Sequence, residues 1–284
     1  MEIIVDSGSS KADWLITQQF SAVSKVRTMG FNPFFHSADF ITQEIHKTFS
    51  NLLNPDEIKT LIYYGAGCSS VARNQVIIDG ISGFFKNAKV EVFHDILAAA
   101  RATCFNKPGI ACILGTGSNS CLYNGTEIID NLPSLGFMLG DEGSGSHFGK
   151  SLIRKLFYRE LPDDLLQKFK VKYNYSKENI LDKLYNQPNV NVFLAKFAEF
   201  FSENSEHPAI KDMVRNCFND FFRCHVVKYK NYKEVEIHFV GSIGFLFRDI
   251  LEEVSADFNV KLGLTIRTPI ENLLEYHSRQ FVVK

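Results

Sequence analysis

The sequence has 284 residues, and its 45% hydrophobic and 22% charged content is that of a globular protein rather than a disordered chain. The 31 basic and 32 acidic residues leave a net charge of −1, which provides no field for holding nucleic acid or an anionic membrane. No apolar stretch approaches the roughly 20 residues of a membrane span, and the start of the chain does not have the order of a secretory signal. We therefore expect a cytoplasmic protein with no nucleic-acid or membrane partner.

The six cysteines form no CxxC pair, and the eight histidines form no HExxH motif. These spacings do not match the ligand patterns of structural metal sites. A disulfide framework is not expected in a chain of this length and compartment. The sequence therefore predicts reduced, buried thiols and no structural metal.

The first part of the chain alternates strands and helices after an opening run of three strands. Ser37 is the expected N-cap of the first helix, because a helical apolar pattern follows it. The periodicity predicts strands at 2–6, 13–19 and 22–28, a helix at 37–53, a strand at 59–64, a helix near 70–85, a strand at 89–94 and a small-residue helix that opens at Asp95.

The second part of the chain restarts the same order near residue 109. Asn124-Gly125 is a typical two-residue hairpin turn and predicts the connection to a third strand. The expected elements are strands at 110–114, up to Tyr123 and at 126–130, helical segments over about 143–229, a strand at 235–240, a helix at 245–257, a strand at 260–266 and a short helix at 269–277.

This repetition predicts an α/β protein of two lobes, each a mixed sheet with helices on both faces. We expect an N-terminal lobe over 1–105 and a C-terminal lobe over 106–268 that contains the helical insertion 143–229. The C-terminal helix, 269–284, can complete the first lobe. Two such lobes would leave a cleft between them, where ligands tend to bind.

Each half places a loop of Gly, Ser and Thr directly after its first strand, namely Asp6-Ser7-Gly8-Ser9-Ser10 and Gly115-Thr116-Gly117-Ser118-Asn119. Small residues at a hairpin tip turn several backbone N–H groups outward, and such arrays bind anions. An ordinary hairpin turn explains either loop alone, but two matching loops could hold one polyphosphate. Neither loop has the spacing of a P-loop or of a dinucleotide-binding GxGxxG motif.

Two charged residues flank the first loop. Asp6 ends a buried strand, where it could orient Mg²⁺ directly or through water, or simply cap the turn. Lys11 could neutralise phosphate charge, or it could be a solvated strand residue.

Three motifs together resemble the N-acetylglucosamine kinase branch of the sugar kinase/Hsp70/actin superfamily, also described as BadF/BadG/BcrA/BcrD-type ATPases. They are Asp6-Ser7-Gly8-Ser9-Ser10-Lys11, Leu114-Gly115-Thr116-Gly117-Ser118-Asn119 and Gly140-Asp141-Glu142-Gly143-Ser144-Gly145. The resemblance covers nearly the whole chain, in order. It implies two actin-like (ribonuclease H-like) lobes with an interlobe cleft.

The resemblance also implies roles for individual residues. Asp95 matches the catalytic Asp that accepts the proton of the acceptor hydroxyl, although an Asp at the start of a helix is by itself typical of an N-cap. The positions implied for phosphate and ATP are Asp6, Gly8, Ser9, Ser10, Lys11, Gly115, Thr116 and Gly117, with Gly241 and Ser242 on the nucleoside. The positions implied for the sugar are Asn32, Thr116, Asn119 and Asp141. Leu135 departs from the Trp that family members often carry.

We therefore expect an enzyme that uses ATP and Mg²⁺ to phosphorylate an amino sugar, N-acetylglucosamine or a related hexosamine, with the 6-hydroxyl as acceptor by resemblance. Two alternatives stay open. One is an ATPase activator of a reductive dehydratase, which would hold an iron–sulfur cluster through cysteines. The other is a non-catalytic sugar-binding regulator on the same fold. The helical region 191–229 is a candidate surface for a homodimer.

Overall fold

The computed structural model describes residues 1–282, which fold into two compact units. Unit 1 contains Met1–Lys107, Gly125–Glu127 and the segment from Thr268 onward. Unit 2 contains Pro108–Asn124 and Ile128–Arg267. Residues 283 and 284, the end of the predicted C-terminal helix 269–284, lie outside the described residues.

Ten strands of the described chain form two five-stranded sheets with the same plan. The sheet of unit 1 has the order β3-β2-β1-β4-β5, and the sheet of unit 2 has the order β10-β9-β6-β7-β8. The strands are β1 Glu2–Ser7, β2 Ala12–Gln18, β3 Ser21–Thr28, β4 Thr60–Gly65, β5 Lys89–His94, β6 Gly109–Leu114, β7 Ser118–Tyr123, β8 Ile128–Asp130, β9 Glu236–Val240 and β10 Lys261–Ile266.

Both sheets are mixed, because the hairpin-linked strands pair antiparallel and the crossover strands pair parallel. In unit 1, β1 is antiparallel to β2 and parallel to β4, which is parallel to β5. In unit 2, β6 is antiparallel to β7 and parallel to β9, which is parallel to β10. The predicted fold, two lobes that each contain a mixed sheet with helices, is confirmed.

The helices of the described chain are α1 Ala38–Phe49, α2 Val71–Ser82, α3 Asp95–Cys104, α4 Gly136–Leu139, α5 Gly145–Phe157, α6 Asp163–Lys172, α7 Lys177–Tyr185, α8 Val190–Ala195, α9 Ala198–Glu203, α10 Pro208–Cys224, α11 Ser242–Leu246, α12 Arg248–Asp257 and α13 Ile270–Val282. Ser37 caps α1 as predicted, since its hydroxyl accepts from the N–H of Phe40. Among these helices, none combines the length and the apolarity that a membrane span requires.

The core of unit 1 covers both faces of its sheet, because alternate residues of a strand point to opposite faces. Ile3 and Val5 pack in one buried cluster with residues of α1 and α2. Tyr64 points to the other face, where its hydroxyl lies 2.9 Å from Nε2 of His277 on α13. Asp6 shares this second face, since it lies beside Tyr64 in register.

The core of unit 2 is rich in phenylalanine. Its helices bury their aromatic rings against the sheet residues Ile110, Cys112 and Leu114. The predicted helical region 191–229 supplies six of these buried phenylalanine rings, Phe197, Phe200, Phe201, Phe218, Phe221 and Phe222. These rings therefore stabilise unit 2 from within.

Two predicted elements differ from the structure. Asn124-Gly125 does not form a two-residue hairpin, because four residues separate the paired Tyr123 and Ile128. Gly125 has φ +99°, and a Cβ there would lie 2.7 Å from the carbonyl oxygen of Asn106, so this loop is shaped by its packing against another segment of unit 1. The predicted helix 245–257 is also two helices, α11 and α12.

The break between α11 and α12 falls at Phe247, which has φ −113° and ψ 34°. The Phe247 side chain is 4% exposed, and its ring centroid lies 5.5 Å from that of Phe148. The helix therefore breaks at a residue that is anchored in the core. The motif Val240-Gly241-Ser242-Ile243-Gly244 opens the short helix α11 rather than one long helix.

Candidate active site

The parallel strands of unit 1 end side by side. Ser7 of β1 pairs with Gly65 of β4, and Gly65 pairs with His94 of β5, so the three residues form one row across the sheet. With neighbouring strands about 4.8 Å apart, this row is about 10 Å long. The predicted phosphate loop follows Ser7, and Asp95 follows His94. Ligands of α/β proteins bind at this carboxyl edge.

The first Gly-Ser loop of unit 1 is a tight hairpin tip. The N–H of Gly8 donates to the carbonyl oxygen of Lys11 at 3.0 Å, and residues 8–11 are exposed. Gly30 supports the loop from behind, since a Cβ on Gly30 would lie only 1.9 Å from the carbonyl oxygen of Gly8. The exposed side of the loop, with its small side chains, can be approached closely by an anion.

Asn32 lies near the same edge and shapes its own loop. Its side-chain Oδ1 accepts from the N–H of Phe34 at 3.0 Å, and its N–H donates to Nδ1 of His36 at 3.2 Å. Gly67, just beyond the end of β4, packs closely against this side chain, since a Cβ on Gly67 would lie 2.5 Å from Oδ1 of Asn32. The loop therefore holds Asn32 in one orientation at 9% exposure.

Asp6 sits in an environment that disfavours its charge. The pKa of this carboxyl is raised to about 7, first by burial and then by the charges of Asp95 and Asp13, against the opposing effect of Lys11 and Lys25. Asp13 is the direct cross-strand partner of Asp6 and is itself paired with Arg27 at 2.8 Å. A bound cation would relieve this excess of negative charge, so the surroundings of Asp6 fit the predicted Mg²⁺ role.

Asp95 is the first residue of α3 but not its N-cap. The N-cap is His94, whose Nδ1 accepts from the N–H of Ile96 at 3.3 Å. The alternative interpretation of Asp95 as a capping residue is therefore wrong. Its carboxylate is 22% exposed, and Oδ1 lies 2.7 Å from Nδ1 of His94. An acid at this edge, free of a capping role, can face an acceptor hydroxyl.

In unit 2, backbone hydrogen bonds connect the Gly/Thr loop 115–119 to the motif 140–145. The N–H of Gly145 donates to the carbonyl oxygen of Gly115 at 2.8 Å, and the N–H of Ser146 donates to that of Thr116 at 3.1 Å. The N–H of Gly115 donates to the carbonyl oxygen of Gly117 at 3.0 Å. Two motifs that are about 30 residues apart in sequence thus form one structural unit.

Asp141 links the two motifs through its side chain. Oδ1 accepts from the N–H of Ser118 at 3.1 Å, and a Cβ on Gly117 would lie 2.8 Å from Oδ2. Asp141 is 8% exposed with φ +59°. Burial raises the pKa of its carboxyl, while the N–H of Ser118 and the charge of Lys150 lower it. The predicted sugar residue therefore also holds the loop in place.

The remaining predicted residues of unit 2 lie close to the same loop. Gly241 has φ +127°, and a Cβ there would lie 2.3 Å from the carbonyl oxygen of Leu114. Gly241 and the following Ser242 therefore lie next to the start of the loop. Asn119 is 8% exposed, and its Oδ1 accepts from the N–H of Ser120 at 2.9 Å. Leu135 is exposed.

The fold of the whole chain can be compared with known proteins. One solved structure, from Porphyromonas gingivalis and provisionally designated an N-acetylglucosamine kinase, superposes with a TM-score of 0.93 at 35% sequence identity, covering 99% of this chain and 100% of that chain. This chain belongs to the N-acetylglucosamine kinase-like family. It is thereby a member of the sugar kinases with an actin-like fold, as the three motifs predicted.

Two more distant structures share the fold of this N-acetylglucosamine kinase-like protein. One is from Chromobacterium violaceum, with the same provisional designation, a TM-score of 0.64, 15% identity and coverage of 97% and 98%. The other is a ROK-family glucokinase from Streptomyces griseus in complex with glucose and AMPPNP, with a TM-score of 0.60, 15% identity and coverage of 98% and 99%. No protein-family model and no curated protein matches the chain.

Sequence reasoning missed three residues that organise the site. Gly30 packs behind the first loop, and its signal was its place in Gly30-Phe31-Asn32-Pro33, two residues before Asn32. Lys150 donates to the carbonyl oxygens of Phe137 and Gly140 at 2.6 and 3.2 Å, but nothing in the sequence marks it. His94 carries no clear signal, because histidine is not among the residues preferred at helix N-caps.

Proposed function

We propose that this protein transfers the γ-phosphoryl group of ATP to the 6-hydroxyl of an amino sugar, N-acetylglucosamine or a related N-acetylhexosamine. The observation that carries the proposal is the position of Asp95, an acid without a capping role at the carboxyl edge that also holds the first phosphate loop. The designation of the relative from Porphyromonas gingivalis supports the sugar class. The motifs favour the BadF/BadG/BcrA/BcrD-type branch.

Asp95 acts as the base. One carboxylate oxygen accepts the hydrogen bond of the acceptor hydroxyl, orients its lone pair towards the γ-phosphorus and takes the proton as the new P–O bond forms. The bond from the γ-phosphorus to the bridging oxygen breaks at the same time, and ADP leaves. A positioned base contributes about 10²–10⁴-fold to such reactions, and positioning with charge neutralisation supplies the rest.

The backbone N–H groups and hydroxyls of the two loops bind phosphate oxygens. In unit 1 we assign this role to Gly8, Ser9, Ser10 and Lys11, and in unit 2 to Gly115, Thr116 and Gly117. Lys11 is exposed at the end of its loop, where a cationic side chain can reach a phosphate. Gly241 and Ser242 are assigned to the nucleoside, since a residue without Cβ lets a ribose approach the backbone.

Asp6 would hold Mg²⁺, directly or through water. The negative charges of Asp95 and Asp13 act on its carboxyl more strongly than the positive charges of Lys11 and Lys25. A bound divalent cation would reduce this repulsion. When bound, Mg²⁺ neutralises the charge of the transferred phosphate. The protein's own contribution is to keep the Asp6 carboxyl at the end of β1, beside the loop, for that purpose.

The sugar is assigned to Asn32 in unit 1 and to Thr116, Asn119 and Asp141 in unit 2. Amide and carboxylate groups held in one orientation recognise hydroxyls and an N-acetyl group through paired hydrogen bonds. The side chain of each of Asn32, Asn119 and Asp141 is fixed by a hydrogen bond that it accepts from a backbone N–H. A cytoplasmic location fits the free cysteines, five of which are buried.

A coupled assay of ADP release over a panel of amino sugars tests this function. We expect sugar-stimulated turnover with an N-acetylhexosamine, and a loss of about 10²–10⁴-fold in kcat for Asp95→Asn. Asp163→Asn is the matched control, because Asp163 is an exposed Asp at the first position of another helix, α6. Sugar binding without turnover in the wild-type protein would support the regulator instead, and iron with ATP hydrolysis would support the dehydratase activator.

A further inference from the structure

We propose that His94 is a positioning residue for the phosphoryl transfer, and that its protonated ring holds the Asp95 carboxylate in the orientation that faces the acceptor hydroxyl. Nδ1 of His94 lies 2.7 Å from Oδ1 of Asp95, the distance of a charge-assisted hydrogen bond. This inference rests on the proposed function of Asp95 as the base.

The same nitrogen has a second partner. Nδ1 of His94 also lies 3.3 Å from the backbone nitrogen of Ile96, whose N–H it accepts as the N-cap of α3. A ring nitrogen can accept with its lone pair or donate with its proton, but not both. Neutral His94 with its proton on Nε2 therefore caps the helix, whereas His94 with a proton on Nδ1, as in the charged ring, donates to Asp95. Protonation exchanges one hydrogen bond for the other.

The Asp95 carboxylate needs this donor. Within residues 1–282, its Oδ1 is among the buried side-chain oxygens that have no hydrogen-bond partner while Nδ1 acts as the acceptor. A buried carboxylate oxygen without a donor is unfavourable, and it leaves the side-chain torsion unrestrained. Donation from His94 would occupy Oδ1 and direct Oδ2 outward.

The charges around His94 favour the protonated form. Burial alone would lower the pKa of the ring, but the hydrogen bond and the charge of Asp95 outweigh it and raise the pKa. From β4, the neighbour in register is Gly65, which carries no charge. Asp6, on β1, adds negative charge around Asp95, and Asp13, on β2, adds it around Asp6. Of these carboxylates, Asp95 is the one whose charge raises the pKa of the His94 ring.

The rate of phosphoryl transfer should depend on the protonation of His94. Below the pKa of His94 the carboxylate is held, Oδ2 accepts the proton of the acceptor hydroxyl as the O–P bond forms, and ADP departs with the electrons of the broken P–O bond. Above that pKa the neutral ring can carry its single proton on Nε2 and accept from the N–H of Ile96 through Nδ1, and the carboxylate then loses its fixed orientation. The rate should then fall as pH rises, by about the value of one hydrogen bond, or about fivefold.

The variant His94→Asn separates the two roles. Asparagine is among the best N-cap residues, so it keeps the bond to the N–H of Ile96 but cannot carry a charge. With saturating ATP and sugar, we expect kcat of the variant to be about fivefold below wild type at low pH and to converge with wild type at high pH, with little change in KM. A constant ratio at every pH would overturn the proposal, because a structural defect alone has that signature.

A measurement that needs no substrate separates this proposal from the kinase assignment. The pKa of His94 can be followed by NMR of ¹⁵N-histidine-labelled protein, with its resonances identified by their absence in His94→Asn. Asp95→Asn should lower the pKa of His94, because the charge that raises it is gone. An unchanged pKa would overturn the positioning role even if the enzyme phosphorylates sugars, and a lowered pKa would support it even if no sugar is phosphorylated.

Discussion

The Asp6 carboxyl should destabilise the ligand-free protein at neutral and higher pH. Its pKa in the folded chain is raised from 3.8 to about 7, first by burial and then by the charges of Asp95 and Asp13. Between these two values the folded chain binds a proton that the unfolded chain has lost. The contribution of Asp6 to the free energy of unfolding therefore falls as pH rises from about 4 to about 7 and stays low above that.

The magnitude follows from the pKa difference of about 3 units. At 1.36 kcal/mol per unit, the full effect is about 4 kcal/mol. The Asp6 side chain keeps some contact with solvent, and water lowers the energy of its charged form. We therefore expect Asp6→Asn to be more stable than wild type by about 2 kcal/mol at pH 8, and by almost nothing near pH 4.

Urea unfolding at several pH values measures this difference. Trp14 is the one tryptophan of the chain and is fully buried in unit 1, so its fluorescence reports on the unit that contains Asp6. Histidines with lowered pKa, such as His277, give wild type an opposite slope below pH 6.5, and the comparison between variants cancels this contribution. Asp79→Asn, at an exposed position of α2, controls for the loss of a carboxylate. If the free energies of unfolding of wild type and Asp6→Asn change with pH in parallel, the raised pKa of Asp6 is wrong.

Four further substitutions, of which Gly8→Ala is a control, test the loops and a buried histidine. Gly30→Ala should lower the melting temperature and raise the KM for ATP, because the added Cβ would lie 1.9 Å from the carbonyl oxygen of Gly8. Gly8→Ala should unfold like wild type, because the atom nearest to its added Cβ lies 3.7 Å away. Equal melting temperatures for both variants would contradict this packing. Asp141→Ala should cost about 1–2 kcal/mol in urea unfolding, since the N–H of Ser118 loses its acceptor; an unchanged midpoint would show that this bond is dispensable. Burial lowers the pKa of His277 to about 4, so the stability of wild type relative to His277→Gln should fall by about 2 kcal/mol between pH 6.5 and 4; a constant difference would argue against this shift.

Much of the fold could be predicted from local sequence. Buried strands such as Ile3-Ile4-Val5, followed by small-residue loops, recur at the same point in both halves, and the structure shows the same strand order in both sheets. The Ser37 cap was predictable because capping depends on neighbouring residues alone. The three motifs also predicted the family.

Features that depend on packing could not be predicted. Phe247 breaks a helix because its ring is fixed in the core, and the helical periodicity of 245–257 contains no sign of that. Gly125 matches a hairpin turn locally, but its loop packs against Asn106, a contact between segments about 20 residues apart. The cap of α3 is His94 rather than Asp95, because the folded chain places Nδ1 of His94 where it accepts from the N–H of Ile96.

The identity of the phosphorylated product shows whether this protein phosphorylates an amino sugar with Asp95 as the base. Purified protein would be incubated with MgATP and N-acetylglucosamine, and the product identified by ³¹P NMR and mass spectrometry, with Asp95→Asn alongside. We expect an N-acetylhexosamine 6-phosphate from wild type and almost none from Asp95→Asn. A wild-type reaction that yields only inorganic phosphate, or an Asp95→Asn variant as active as wild type, would contradict it.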